Sequence, residues 1–246
     1  NLVFPLYVGA SCVLFSGPAR QITGVLKTIA TYQPTVFISV PTVYAAILAL
    51  PRFEERYELG SLRMCLSAGE ALPVPAWEVW KERTGHEILD TIGCTETYHT
   101  FLANRPGAIR PGSSGKPFPG YEVRVVDDDG HDVEQGEIGH LLVKGESVAL
   151  SYLHQYEKSR ETFRGEWLFT GDRYYVDEDG FYWHAGRGDD MLKVGGLWVS
   201  PIEIENVLLS HAAVHECAVI GAHDPAGFLK PKAYVSLAAG YAFTEQ

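Results

Sequence analysis

Between residues 13 and 85, short apolar runs of strand type alternate with runs of helical period, and that alternation restricts the fold more than any other feature. VLF at 13–15, TVFISV at 35–40 and MCLSAG at 64–69 read as strands. VLKTIATY at 25–32 and PTVYAAILAL at 41–50 read as helices, the second with Val43, Ile47 and Leu50 on one face. Strands separated by helices favour a mostly parallel sheet covered on its faces. PAWEVWKERTG continues the pattern as a helix begun by Pro75 and closed by Gly85, and its Trp77 and Trp80, three residues apart, are assigned to packing. The opening run NLVFPLYVGASCVLF is broken by Pro5, Gly9 and Ser11 and is too short for a membrane-crossing helix; it reads as a buried strand entered in mid-domain.

Two polar stretches follow strand-like runs, where an open α/β sheet presents its ligands. Gly69, Glu70 and Ala71 lie in the first, SAGEAL at 67–72. The second, from Asp90 through Ile92, Gly93 and Thr95 to Glu96, follows the short run Glu87-Ile88-Leu89. A glycine flanked by carboxylates and a hydroxyl suits a nucleotide with Mg²⁺, and equally a polar turn. GSSGKP at 112–117 is not a phosphate loop, because only Ser113 and Ser114 separate its glycines and Pro117 stands where a hydroxyl is needed. No G-x-G-x-x-G occurs, so a dinucleotide fold has no support.

From residue 121 the character changes. EVRVVDDDGHDV alternates around Asp128-Asp129-Gly130 as a hairpin, and EIGHLLVKGESVA and GFYWHAG supply further strands. The carboxylates Asp127 to Asp129 lack calcium-loop spacing and read as a solvated turn. The segment from Thr170 to Glu205 reads either as a β-hairpin with polar turns or as a charged, glycine-punctuated connection, with regular structure resuming at residue 200, where Ser200 and Glu203 form a capping box and Pro201 takes the first helical position. Such connections carry function more often than packing. Asp172 could accept hydrogen bonds from both hydroxyls of a ribose. VHECAVIG and KAYVSLA then make a compact α+β pattern.

Thr170-Gly171-Asp172, Gly186-Arg187-Gly188-Asp189-Asp190 and Lys193-Val194-Gly195-Gly196 together resemble the block that joins the two domains of adenylate-forming acyl-CoA and aryl-CoA ligases, most of all the benzoate-CoA ligase branch. The resemblance extends over essentially the whole chain. It implies an α/β layered large domain at 1–120, a β-rich subdomain of it at 121–188, and a hinge with part of a small α+β C-terminal domain at 189–246. Gly69, Glu70 and Ala71 would lie along an adenine, with Asp90, Ile92 and Gly93 also at the nucleotide. Ile92 stands where the family has Tyr. Thr95 would contact the α-phosphate, Glu96 would hold Mg²⁺, and Asp172 and Arg187 would take the ribose and phosphate. Ile38, Ser39, Gly93 and His99 would line an aryl pocket. Asp189 would be the hinge, with Lys193, Gly195 and Gly196 serving the coenzyme A step.

The implied reaction is ATP-dependent formation of an aryl-adenylate and then an aryl-CoA thioester, from benzoate or a substituted benzoate. A ligase that loads a carrier protein, or a non-catalytic nucleotide-binding fragment, are the alternatives. Family members extend further at both ends, carrying a phosphate loop upstream and a lysine downstream, so the chain reads as an internal stretch of a larger enzyme that would be inactive by itself. A formal charge of −11, from 20 basic and 31 acidic residues, argues against nucleic acid or an anionic membrane as partner. Cys12, Cys65, Cys94 and Cys217 form no C-x-x-C pair, which fits reduced thiols in the cytoplasm. The Arg187-Gly188-Asp189 tripeptide of adhesion ligands stands in no secretory context. The oligomeric state is left open, a homodimer among the options.

Overall fold

The computed structural model describes residues 3–18, 21–188, 190–194, 197–225 and 227–242. The chain divides into two compact units, Asn1–Leu72 with Ala76–Leu89, and Pro73–Pro75 with Asp90–Gln246.

The first unit contains α1 (Val3–Tyr7), α2 (Ile22–Tyr32), β1 (Val36–Ser39), α3 (Pro41–Leu48), α4 (Phe53–Arg56), β2 (Met64–Ser67) and most of α5 (Val74–Thr84). β1 and β2 pair in parallel, Ile38 opposite Leu66 and Ser39 opposite Ser67. The helices cover an aromatic core. Trp80 is fully buried, edge-on to Tyr44 at 4.9 Å between ring centroids and stacked on Phe53 at 6.1 Å. Trp77 packs against the same cluster and donates its indole N–H to the Ile88 carbonyl at 2.8 Å, so both tryptophans do serve packing. Arg83 ties α5 to the segment joining α3 and α4 by donating to the Leu48 and Leu50 carbonyls and pairing with Glu54. Among the core residues, burial pushes the Cys65 thiol up to about 12, which keeps it protonated and inert.

The opening run departs from its expected strand. Residues 3–7 are helical, residues 10–16 have no regular structure, and Leu6, Tyr7, Val8, Val13 and Leu14 are exposed. A short continuous apolar run carries no period that separates strand from helix. The helix closes by hydrogen bonds from Ala10 N–H to the Pro5 carbonyl and from Gly9 N–H to that of Leu6, the pattern of a left-handed glycine stop.

The second unit is antiparallel. β3 (Ile88–Gly93), which begins in the first unit, pairs with β4 (Thr100–Ala103), and β4 pairs with β5 (Lys116–Pro117). The strand therefore runs on through Asp90, Thr91 and Ile92, where a loop was expected. Thr91 faces Ala103 across the ladder, and Asp90 and Thr91 are buried, so pairing and burial outweigh the polar composition.

β6 (Tyr121–Val126), β7 (Gly139–Gly145), α6 (Tyr156–Thr162), β8 (Phe163–Arg164), β9 (Trp167–Val176) and β10 (Tyr182–Arg187) come next, and their main sheet has the order β10-β9-β7-β6. Its core gathers Phe101, Leu102, Val125, Leu141, Val143, Tyr174 and Tyr182. The Asp127–Gly130 turn forms, with the Asp127 carboxylate accepting from the Asp129 and His131 amides. Its return arm reaches only an isolated bridge, Val126 to Asp132, because β6 takes β7 as its ladder partner.

The stretch from Thr170 to Ser200 follows the hairpin alternative and is more regular than a connection. It holds most of β9, all of β10, and a small hairpin of β11 (Leu192–Val194) and β12 (Leu197–Val199). Aromatic and β-branched residues between its charges meet strand partners and bury one face. α7 (Pro201–Leu209), β13 (Val214–His223) and β14 (Leu229–Leu237) complete the chain. Ser200 caps α7, its hydroxyl accepting from the Glu203 amide at 3.2 Å while donating to the Ala185 carbonyl. Among the described residues no helix is long and apolar enough to cross a membrane.

Candidate nucleotide site

In the first unit, Ile38 and Ser39 end β1, and the Ser39 carbonyl accepts from the Ala68 amide at 3.2 Å. That bond brings the chain out of β2 into Gly69, Glu70 and Ala71, all of them at least partly exposed. Gly69 has φ +95°, a left-handed conformation that side chains rarely adopt.

The candidate residues of the second unit fall into two groups, each organised around a carboxylate. In the first group Asp172 on β9 stands directly opposite Arg187 on β10. Asp172 is buried, and Arg187 donates to its Oδ1 at 2.9 Å from a largely exposed position. The His184 ring lies 3.7 Å from the same oxygen. The amide of Asp172 donates to the Thr170 hydroxyl, which in turn donates to the Leu141 carbonyl. Burial works to raise the Asp172 carboxyl, yet the His184 ring and the Arg187 guanidinium outweigh it and hold the group below the usual carboxylate range. The result is an ionised acceptor beside a planar cationic donor. A one-residue irregularity between His184 and Gly186 sets this pairing, bringing Arg187 rather than Gly186 opposite Asp172.

The second group is built on a single turn of 3₁₀ helix, Thr95–Thr97. Thr97 is buried, and its hydroxyl bridges the Cys94 and His99 carbonyls at 3.0 and 2.7 Å. Thr95 is exposed and Glu96 half-buried. Gly93 stands where the chain enters the turn: a Cβ there would lie 2.4 Å from the His99 carbonyl oxygen, so no other residue fits without a backbone shift. His99 is exposed, with its ring edge-on to Tyr121 at 5.7 Å and its Nδ1 2.8 Å from the Thr100 carbonyl oxygen, so it is not a core histidine. The Glu96 carboxylate accepts a hydrogen bond from the Tyr152 hydroxyl. Partial burial works to raise the Glu96 carboxyl, but the Tyr152 donor, with lesser help from neighbouring donors and Lys158, brings it below its ordinary value.

Asp90 and Ile92 lie within β3, where the Asp90 carbonyl accepts from the amide and side-chain nitrogen of Asn104. Lys193 lies in β11 opposite Trp198. Asp189, Gly195 and Gly196 lie outside the described residues. Sequence reasoning missed His184 and Tyr152. His184 is three residues from Arg187 and could have been reached by counting along a strand, had the irregularity been known. Tyr152, 56 residues from Glu96, leaves no local signal.

Residues 1–153 match the family model of the AMP-binding enzymes, and residues 203–246 match that of the AMP-binding enzyme C-terminal domain. The chain belongs to the AMP-binding enzyme family. Relatives within it include the benzoate–CoA ligase of Thauera aromatica, 47% identical over 98% of this chain and 46% of the relative. A 4-hydroxybenzoate–CoA/benzoate–CoA ligase of Rhodopseudomonas palustris is 48% identical over 97% of this chain and 44% of its own length. Among solved AMP-binding enzymes, the anthranilate CoA ligase AuaEII in complex with anthranoyl-AMP superposes with a TM-score of 0.94 at 59% identity, covering all of this chain and 47% of that one. A benzoate CoA ligase from Burkholderia xenovorans superposes with a TM-score of 0.89 at 44% identity, over 99% of this chain and 48% of its own. The chain spans about half the length of the relatives it matches.

Proposed function

We propose that this chain is part of an ATP-dependent aryl-CoA ligase that converts an aromatic carboxylic acid to its adenylate and then to a coenzyme A thioester. The observation that carries this reading is the Asp172–Arg187 pair, a buried anion and an exposed planar cation set opposite each other on adjacent strands. An ionised carboxylate with a free oxygen accepts both hydroxyls of a ribose, and the guanidinium donates to sugar or phosphate oxygens. The likeness to ligases of benzoate, 4-hydroxybenzoate and anthranilate supports an aromatic acid as substrate.

In this reading the acid's carboxylate attacks the α-phosphorus of ATP, pyrophosphate leaves, and the thiol of coenzyme A then displaces AMP. Gly69, Glu70 and Ala71 are assigned to the adenine, with Asp90, Ile92 and Gly93 as further nucleotide contacts. Thr95, which is exposed, is assigned to donate its hydroxyl to an α-phosphate oxygen. The half-exposed, ionised Glu96 carboxylate has the hard oxygen donors that Mg²⁺ takes, so this residue fits the ion. When bound, Mg²⁺ would offset phosphate charge. Ile38, Ser39, Gly93 and His99 are assigned to the aryl pocket. Asp189 is assigned to a hinge that exchanges the adenylate-forming arrangement for the thioester-forming one, in which Lys193, Gly195 and Gly196 act. The domain boundaries that go with this reading are 1–120, 121–188 and 189–246.

The test is a substrate panel on the full natural polypeptide, with benzoate, ring-substituted benzoates and medium-chain fatty acids, following AMP release and thioester formation. Aromatic acids should be preferred, with coenzyme A required for thioester. Preference for fatty acids, or transfer to a carrier protein without coenzyme A, would overturn the reading. Asp172→Ala should reduce kcat/KM for ATP by about 10- to 100-fold, the scale of a lost charged hydrogen bond.

A further inference from the structure

Both backbone carbonyls at the end of the candidate metal turn, and its carboxylate, are held from one distant segment of chain. The Ala149 amide donates to the Glu96 carbonyl at 2.7 Å. The Ser147 hydroxyl donates to the Thr97 carbonyl at 2.7 Å, beside the Tyr121 hydroxyl, which reaches the same oxygen at 3.2 Å. The Tyr152 hydroxyl donates to Glu96 Oε1. Tyr152 is itself fixed. Its amide donates to the Ser159 hydroxyl at 2.9 Å, its ring lies 5.3 Å from that of Phe163, and the Lys158 ammonium sits 4.6 Å over the ring face. Ser159 in turn donates to the Gln155 carbonyl at the start of α6.

We propose that residues 147–152 clamp the Thr95–Thr97 turn, and that Tyr152 is a positioning residue that occupies Glu96 Oε1 and turns Oε2 toward a divalent cation. The inference rests on the assignment of Glu96 as the metal-holding carboxylate. A half-buried carboxylate on a short turn would otherwise sample several rotamers, and ordering it on ion binding would cost affinity. A hydrogen bond made beforehand removes that cost, and it leaves one oxygen rather than two for the ion. Partners of this kind behind a ligand are worth about 10- to 100-fold in metal affinity. Tyr152 acts through Glu96 and touches neither nucleotide nor ion.

The experiment uses the full natural polypeptide and Mn²⁺ as the probe, with its binding measured by electron paramagnetic resonance in the presence of a non-hydrolysable ATP analogue. Tyr152→Phe keeps the ring contacts to Phe163 and Lys158 and should retain the wild-type melting temperature, while the Kd for Mn²⁺ rises about tenfold. The KM for the aromatic acid should stay within twofold. Restoring a donor at position 152 with 4-aminophenylalanine should recover most of the affinity. Glu96→Gln should weaken Mn²⁺ binding at least as much, and adding Tyr152→Phe to it should cost less than a further twofold. If Glu96→Gln weakens binding and Tyr152→Phe does not, the positioning role fails and the site assignment stands. If Glu96→Gln binds Mn²⁺ like the wild type, Glu96 is no ligand and the clamp falls with that assignment. Failure of the donor replacement to recover affinity would likewise reduce Tyr152 to a packing residue.

Discussion

The two units hold their candidate residues in different ways. In the first, Ile38, Ser39 and Gly69 to Ala71 sit at strand ends and in the turn beyond, held by backbone pairing over a core of aromatic rings. In the second, two carboxylates are held by side chains elsewhere in the chain, Asp172 by Arg187 and His184, Glu96 by Tyr152. The difference follows from what each has to offer. A glycine-bearing turn can present backbone and shape without help, whereas a carboxylate that must stay ionised while partly buried needs opposing charge or donors close by. Asp172 is therefore coupled to sheet register, and Glu96 to a distant loop, in a way that the shape-giving turn is not.

Mutations can break this contrast. Trp80→Ala removes the centre of the first core and should destabilise the protein by about 3–5 kcal/mol, measured by chemical denaturation, while the Asp172–Arg187 pair keeps its register. A variant that abolished the pair as well would show that the carboxylate site depends on the first core. Gly93→Ala forces a Cβ against the His99 carbonyl and should cost about 1–3 kcal/mol, together with loss of the turn that presents Thr95 and Glu96. Its cost should exceed that of Gly69→Ala, whose Cβ would meet only Val40 at 3.6 Å, although the left-handed backbone at Gly69 adds some strain. Ser200→Ala removes the cap of α7 and should cost about 1 kcal/mol, read as a lower melting temperature.

The smallest effect at neutral pH is a titration. The folded Asp172 carboxyl lies below its unfolded value, so its contribution is fully present above the unfolded pKa of about 3.9 and is lost as pH falls through the folded one. Asp172→Asn should remove that component. The acid limb of its stability curve should be shallower than the wild type's by at most about 1.4 kcal/mol per pH unit, the limit for one proton. An unchanged limb would show that Asp172 is not ionised by its neighbours.

The sequence made the α/β class, the helices at 22–32, 41–48 and 74–84, and the cap at Ser200 legible, because each has a period or a terminal signal of its own. Asp172 and Arg187 were marked by the family resemblance of the Thr170–Asp172 and Gly186–Asp190 motifs, and their facing positions on β9 and β10 came only with the sheet. The sequence hid what depends on pairing. The continuation of β3 through Asp90, the β11–β12 hairpin and the reach of Tyr152 to Glu96 are settled by distant segments, and no local run of residues encodes them. The opening apolar run misled for the opposite reason: its residues had no period to read, and Gly9 closed a helix where a strand was expected.

The irregularity between His184 and Gly186 has a bearing on which length changes this hairpin tolerates. On an even strand His184 and Arg187 would point to opposite faces; the one extra residue puts both on the side of Asp172, as a leap day brings two calendars back into step. Deleting Ala185 would therefore leave Arg187 counted against Asp172 and merely straighten the strand. Its cost would fall elsewhere, on the carbonyl to which the Ser200 hydroxyl is bound. Deleting Arg173 from the facing strand would do the reverse, sparing that anchor while Gly186 moves opposite Asp172 and the guanidinium is carried past it. Among natural variants of this hairpin, then, single-residue deletions should be found on β10 at the irregularity and not on β9 across from it, even where individual residues drift freely.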